Sequence, residues 1–211
     1  MADPAGKFIV LEGVDGSGKS TQAYLLSKYL AEQKVRVLPT REPGGTTLGE
    51  RIREILLEPG QDLISAQCEL LLYMASRAQH VSEVIKPSLE KGYIVVCERY
   101  LLSSIAYQGY AGGLSKEDIR KIGEFAVMGT LPDLTIILDV EPSVATAREK
   151  LPAGAGYDRI EKKGIQFQER VRAGFLELAK TDPEKIKVVD ASRPAKAVHT
   201  EIRKLLAGVI G

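Results

Sequence analysis

Lys7-Phe8-Ile9-Val10-Leu11-Glu12-Gly13-Val14-Asp15-Gly16-Ser17-Gly18-Lys19-Ser20 is the stretch from which the fold can be read. Its first five residues form an almost continuous apolar run, the pattern of a strand buried on both faces of a parallel sheet. The eight residues from Gly13 to Ser20 satisfy G-x-x-x-x-G-K-[ST], and residues 19–33 then carry apolar side chains at three- and four-residue spacing. Strand, glycine-rich turn and amphipathic helix therefore follow one another. Glycines let the backbone wrap closely around phosphate oxygens with its N–H groups pointing inward, and the helix dipole favours the anion. Lys19 is expected to reach the β/γ-phosphates and Ser20 to ligate Mg²⁺. Residues Gly13 to Thr21 are thus predicted to bind a nucleoside triphosphate.

Outward from this stretch, Val35-Arg36-Val37-Leu38, Tyr93-Ile94-Val95-Val96-Cys97 and Thr135-Ile136-Ile137-Leu138 are rich in β-branched residues, and Lys187-Val188-Val189 is a shorter fifth candidate strand. Helical spacing covers 19–33, 47–58, 63–90, 115–128, 161–180 and 194–207. Strands alternating with helices predict a doubly wound, three-layer α/β fold, a five-stranded parallel sheet flanked by helices. Leu151-Pro152-Ala153-Gly154-Ala155-Gly156 departs from this pattern. Its small residues suit a mobile surface loop, so a short lid at about 148–160 is expected within one domain spanning 1–211.

With 211 residues the chain is long enough for one substantial core and short for two enzyme domains. Apolar residues at 44% and charged residues at 27% exclude general disorder. Lys and Arg total 29 against 28 for Asp and Glu, a balance that gives no support to polymeric nucleic acid as a partner. Cys68 and Cys97 match no zinc or redox spacing and fall in apolar stretches, where a thiol serves as a small core residue, which suits a reducing cytoplasm. The start, Met1-Ala2-Asp3-Pro4-Ala5-Gly6, has no basic n-region, and the apolar runs fall well short of the ~18 residues needed to span a bilayer. Neither secretion nor a membrane partner is expected.

Thr40-Arg41-Glu42-Pro43-Gly44-Gly45-Thr46, Arg53, Leu71-Leu72-Tyr73-Met74-Ala75-Ser76-Arg77, Glu98-Arg99-Tyr100, Ser103, Ser104 and Ala106-Tyr107-Gln108 occur in an order that resembles the bacterial thymidylate kinases, with coverage from Lys7 to about Leu206. A P-loop alone is widely shared, whereas T-R-E-P-G-G-T with R-Y…A-Y-Q is specific. The resemblance implies a P-loop kinase that transfers the γ-phosphoryl of Mg·ATP to dTMP, and a homodimer. It sets Arg53 and Arg99 on the acceptor phosphate with Arg41 nearby, where guanidinium forks match phosphate oxygens bidentately. Tyr73 and Arg77, four residues apart on one helical face, would stack on the pyrimidine and donate to its O4. Asp15 would accept from the deoxyribose 3′-hydroxyl, Tyr107 would fill the space beside the 2′ carbon, and Ser104 would face the N3 edge, with Gln108 also binding substrate. Glu98, in place of the family's aspartate, keeps a carboxylate for water-mediated contact with Mg²⁺ near Ser20. Arg148 would lie against the adenine, beside the loop Asp190-Ala191-Ser192-Arg193-Pro194 that carries Arg193.

The larger departure from the family concerns an arginine. An arginine for the transferring phosphoryl, supplied by the P-loop's variable positions or by the lid, is missing from Val14-Asp15-Gly16-Ser17 and from 151–156. Arg148, Lys150 and Arg159 remain, and Lys150 lies nearest to where the family's lid arginines begin. It is expected to join Lys19, Arg99 and Asp15 as a catalytic residue. His80 and His199 read as ordinary surface or helix-end histidines. Two rival readings stand beside dTMP kinase. One is another P-loop nucleotide or nucleoside kinase, against which Arg53 and Arg99 favour a monophosphate acceptor. The other is a non-catalytic nucleotide-binding module, for which a GTP-reading N-K-x-D element would be needed and is not found.

Overall fold

β1 (Lys7–Glu12) is apolar on both faces because both faces are covered: Phe8, Ile9, Val10 and Leu11 are fully buried. In this computed structural model, which describes residues 6–58, 64–148 and 159–210, β1 is the middle strand of five. The others are β2 (Val37–Arg41), β3 (Ile94–Glu98), β4 (Leu134–Asp139) and β5 (Ile186–Asp190), all parallel and in the order β2-β3-β1-β4-β5. Between and after them run α1 (Lys19–Glu32), α2 (Thr47–Leu57), α3 (Ala66–His80), α4 (Lys86–Glu90), α5 (Leu101–Ser104), α6 (Lys116–Val127), α7 (Pro142–Arg148), α8 (Ile165–Ala179) and α9 (Ala195–Ile210). This is the doubly wound, three-layer α/β fold that the alternation of strands and helices predicts.

Side-chain alternation along the strands divides the core in two. Ile9, Leu11, Val96 and Ile136 pack with Leu26, Leu30 and Ile202 on one side of the sheet. Phe8, Val10, Val95 and Cys97 pack with Val81, Ile85, Tyr100 and Val127 on the other. Since β1 is paired with β3 on one side and β4 on the other, the connections diverge at its carboxyl end and leave a crevice there. The loops after β1, β2 and β3 open into it.

Three local expectations are corrected. β2 runs over Val37–Arg41 rather than 35–38; it is an edge strand paired with β3 alone, where Pro39 is tolerated opposite Val96 and pairing continues through Thr40 and Arg41. The helical run expected over 63–90 is α3 and α4 joined by a π-helical segment, Val81–Ile85, and a second π-helical segment, Ile105–Ala111, follows α5. Cys97 is a core residue as expected, but Cys68 is exposed on the first turn of α3. Residues 149–158, most of the expected lid, lie outside the described residues.

Candidate active site

The loop between β1 and α1 is shaped by glycine. Gly13, Gly16 and Gly18 have φ of 140°, 71° and 95°, and a Cβ on Gly13 would lie 2.7 Å from both the Leu138 carbonyl and Ser17 Oγ. Lys19 is buried against this loop, its Nζ donating to the carbonyls of Gly13 at 3.0 Å and Val14 at 2.8 Å. Burial, and then the Arg99 guanidinium, push its pKa down to about 7, against the opposing pull of Asp15, Glu12 and Glu98. Ser20 Oγ donates to Glu98 Oε2 at 2.6 Å, which brings the hydroxyl of α1 and the carboxylate ending β3 to one point of the crevice.

Arg99, just past β3, has φ of 67°, a left-handed conformation uncommon for a residue with a side chain. This turn carries its guanidinium back over the P-loop, where Nη1 donates to the Gly13 carbonyl at 3.1 Å and Nη2 pairs with Asp15 Oδ1. The guanidinium also lies 4.9 Å from the centre of the Tyr107 ring. Asp15 Oδ2 accepts from Tyr107 Oη at 3.0 Å and Gln168 Nε2 at 3.1 Å. Burial works against the Asp15 charge, yet Arg99, Lys19 and these hydrogen bonds hold its carboxyl below the usual aspartate range.

Two cavities meet at these residues. The larger, about 780 Å³, runs from the P-loop past Ser20 and Thr21 to Arg148 and the loop Ala191–Pro194, and its near end is bounded by Arg41, Arg53 and Arg99. The second, narrower cavity is lined by Tyr73, Arg77, Ser104, Tyr107 and Gln108, together with Pro43, Leu57 and Ile160. Asp15, Glu42, Arg53 and Arg99 line both. Gly13 and Val14 lie behind the loop, contributing carbonyls to Lys19 rather than to either of these cavities.

The arginines differ in how they are held. Arg41 donates both ways to the Glu50 carboxylate, and Arg53 Nη1 donates to the Pro43 carbonyl at 3.0 Å. Arg77 is buried and uses four of its five N–H groups on Glu42, Met74, Ser104 and the Tyr100 carbonyl, leaving one for a ligand. At the far end of the large cavity Arg148 donates to the carbonyls of Ala191 and Ser192, both at 2.7 Å, while Arg193 pairs with Glu201. Arg159 is drawn away from the P-loop: it pairs with the buried Glu69 at 2.5 Å and donates from Nε to the Leu56 carbonyl. Gln108 Nε2 donates to the same Glu69 at 2.8 Å, and Lys163 approaches it at 3.3 Å. Lys150 lies outside the described residues.

Sequence reasoning passed over Glu12 and Gln168, quoted Glu42 only within a motif, and read His80 as an ordinary surface or helix-end histidine. Glu12 is fully buried and accepts from the backbone N–H groups of Tyr100 and Ser103 and from Ser103 Oγ, which fixes the turn carrying Arg99. Burial pushes its carboxyl up despite those bonds. His80 ends α3 as expected but is buried, not at the surface, bonded to Thr40 and Glu42. The available signal was a polar residue in an apolar register: Gln168 lies beside Phe167 and one turn before Val171, on the buried side of α8.

A parallel sheet with a phosphate-binding loop after its middle strand, and a second cavity that shares Asp15, Arg53 and Arg99 with the first, defines the class of P-loop kinases acting on nucleotides. The sequence profile described as thymidylate kinase matches residues 11–202. The thymidylate kinase of Symbiobacterium thermophilum is 48% identical over 203 residues, covering 96% of this chain and 94% of that protein. The thymidylate kinase of Leifsonia xyli is 49% identical over 96% of this chain and 95% of that protein. The crystal structure of thymidylate kinase from Ehrlichia chaffeensis superposes with a TM-score of 0.80 at 36% identity, covering 96% of this chain and all of that one. The chain belongs to the thymidylate kinase family.

Proposed function

We infer that this chain transfers the γ-phosphoryl of ATP to dTMP, giving dTDP and ADP. The observation that carries the reading is that the donor cleft and the acceptor cavity share Asp15, Arg53 and Arg99, so two phosphate groups would meet at the arginines. Lys19 takes the β/γ-phosphates, Arg53 and Arg99 the acceptor phosphate with Arg41 at its edge, and Arg148 and Arg193 the adenine end. Tyr73 packs on the pyrimidine, Arg77, Ser104 and Gln108 read its edge, and Asp15 and Tyr107 take the sugar. Transfer rests on positioning and neutralisation of charge, with no covalent intermediate.

Members of the family use ATP, generally with a metal ion. Ser20 Oγ and Glu98 Oε2 are hard oxygen donors at the phosphate end of the cleft, a pair that fits Mg²⁺ held mostly by nucleotide phosphates and water. Bound there, Mg²⁺ supplies neutralising charge to the β- and γ-oxygens. With Arg159 paired to Glu69, Lys150 is the remaining lid cation for the transferring group.

The 211 residues form one kinase domain whose lid spans about 148–160. The homodimer that the family resemblance implies belongs to this reading; Leu71 on α3 and Phe125 on α6 are exposed apolar side chains, 55% and 85% accessible. The chain's partners in this reading are ATP and dTMP, with no polymeric nucleic acid and no membrane. Unpaired Cys68 and Cys97 suit a cytoplasmic enzyme.

Incubation with Mg·ATP and each nucleoside monophosphate in turn, with ADP release measured, tests the reading. The highest kcat/KM is expected with dTMP. A better acceptor of another base would assign a different nucleotide kinase, and no acceptor-dependent ADP release would leave a nucleotide-binding module.

A further inference from the structure

We propose that His80 is a positioning residue for the acceptor: it orients the Glu42 carboxylate and, through it, the Arg77 guanidinium at the base slot. The inference rests on the acceptor-site role of Arg77 given above. Thr40 Oγ1 lies 2.6 Å from His80 Nε2, His80 Nδ1 lies 3.3 Å from Glu42 Oε1, and Arg77 Nε donates to Glu42 Oε2 at 2.7 Å. Each carboxylate oxygen therefore has its own donor, so the plane of Glu42 is set from both sides. A carboxylate only accepts, which puts the imidazole proton on Nδ1 and leaves Nε2 to accept from the Thr40 hydroxyl.

His80 is fully buried, with Arg77 at 2% exposure and Glu42 at 5%. A buried ionic network is a poor source of net stability compared with packed apolar side chains, so its use here points to orientation. The neighbouring backbone is built around the ring. A Cβ on Gly45 would lie 2.5 Å from His80 Nε2, so the Glu42–Thr46 loop packs directly against it. The same loop supplies the Pro43 carbonyl that holds Arg53. Immediately after His80 the helix widens into the π-helical segment Val81–Ile85, a distortion frequent at functional sites.

Two exchanges separate the two ends of the imidazole. His80→Asn retains a donor where Nδ1 lies and loses the Thr40 contact; His80→Gln reaches toward Thr40 and loses the donor to Glu42. His80→Gln is expected to raise the KM for dTMP about tenfold while the KM for ATP and kcat stay within about threefold of the parent, and His80→Asn to restore the dTMP KM to within about threefold. In the unmodified protein, ¹⁵N NMR of its two histidines should show the His80 ring protonated at Nδ1, with His80→Asn providing the assignment.

An Nε2-protonated ring overturns the proposal. So does an equal effect of Asn and Gln on dTMP KM, or a shared fall of kcat and melting temperature with unchanged KM, which would mark a structural residue only. Arg77→Lys distinguishes the two levels of inference. If it raises the dTMP KM while His80→Gln does not, the His80 proposal alone fails; if Arg77→Lys leaves that KM unmoved, the base-reading role fails and this proposal with it. Should His80→Gln not fold, the ring tautomer and the dTMP KM of His80→Asn decide, a raised KM overturning the proposal.

Discussion

Arg99 and Asp15 form an ion pair at the junction of the two cavities, with Arg99 turned back to the P-loop by its positive φ and Asp15 held from the other side by Tyr107 and Gln168. The pair keeps a cation and a sugar-binding acid in fixed relation to each other. Asp15→Asn retains the shape and removes the charge that holds Arg99. The expected result is a fall of about 10² in kcat/KM for dTMP, with the KM for ATP changed much less. Steady-state kinetics with each substrate varied in turn checks the split.

Lys19 is predicted to act through its charge and to gain a proton when nucleotide binds. With its pKa pushed down to about 7, Lys19 in the free site binds fewer protons at pH 8 than an ordinary lysine; phosphates in the loop favour the ammonium form, so ATP binding should take up a fraction of a proton there. Calorimetry in buffers of different ionisation enthalpy measures this uptake, and Lys19→Met should abolish it. Folding carries the matching sign. Because the folded pKa lies below the unfolded one, near 10.4, the unfolded chain binds more protons between them, and this group's contribution to stability rises with pH across that window. Phosphoryl transfer by Lys19→Ala should fall by at least ~10².

Tyr107 offers a ring to the sugar and a hydroxyl to Asp15, and two variants tell these apart. Tyr107→Ala should relax discrimination between dTMP and ribothymidine monophosphate by about tenfold, since steric exclusion at the 2′ carbon is lost. Tyr107→Phe keeps the ring and should preserve discrimination while weakening dTMP turnover. The ratio of the two kcat/KM values is the measurement, and an unchanged ratio in Tyr107→Ala would return the ring to core packing.

Arg148 clamps the Ala191 and Ser192 carbonyls at the far end of the donor cleft. Arg148→Ala should raise the KM for ATP about tenfold or more and leave that for dTMP near the parent's, as expected from roughly 1.5–3 kcal/mol of lost charged hydrogen bonding. Lys150→Ala should do the reverse of a binding defect. Rapid-quench single-turnover rates at saturating ATP and dTMP are expected to drop while ATP affinity holds, and a rate indifferent to the change removes Lys150 from catalysis.

Much of the fold was determined by the sequence alone, because the decisive signals are local. An apolar five-residue run, glycines where the backbone must take positive φ, and a lysine and serine opening an amphipathic helix all act within fourteen residues, although Gly13's lack of a side chain is required both by Ser17 inside that stretch and by the distant Leu138 carbonyl on β4. The alternation of strands and helices needed nothing more than side-chain periodicity. The tertiary structure alone decided how charges are shared. Glu69 gathers Gln108, Arg159 and Lys163, separated by up to 94 residues, and so removes Arg159 from the candidates for phosphate binding. Glu12 reaches Ser103 across 91 residues and Gln168 reaches Asp15 across 153. Such pairings leave no period or spacing in the chain, since a buried carboxylate or amide is satisfied by whichever donor the packed helices bring within about 3 Å, and that is settled only when the sheet and its covering layers are assembled.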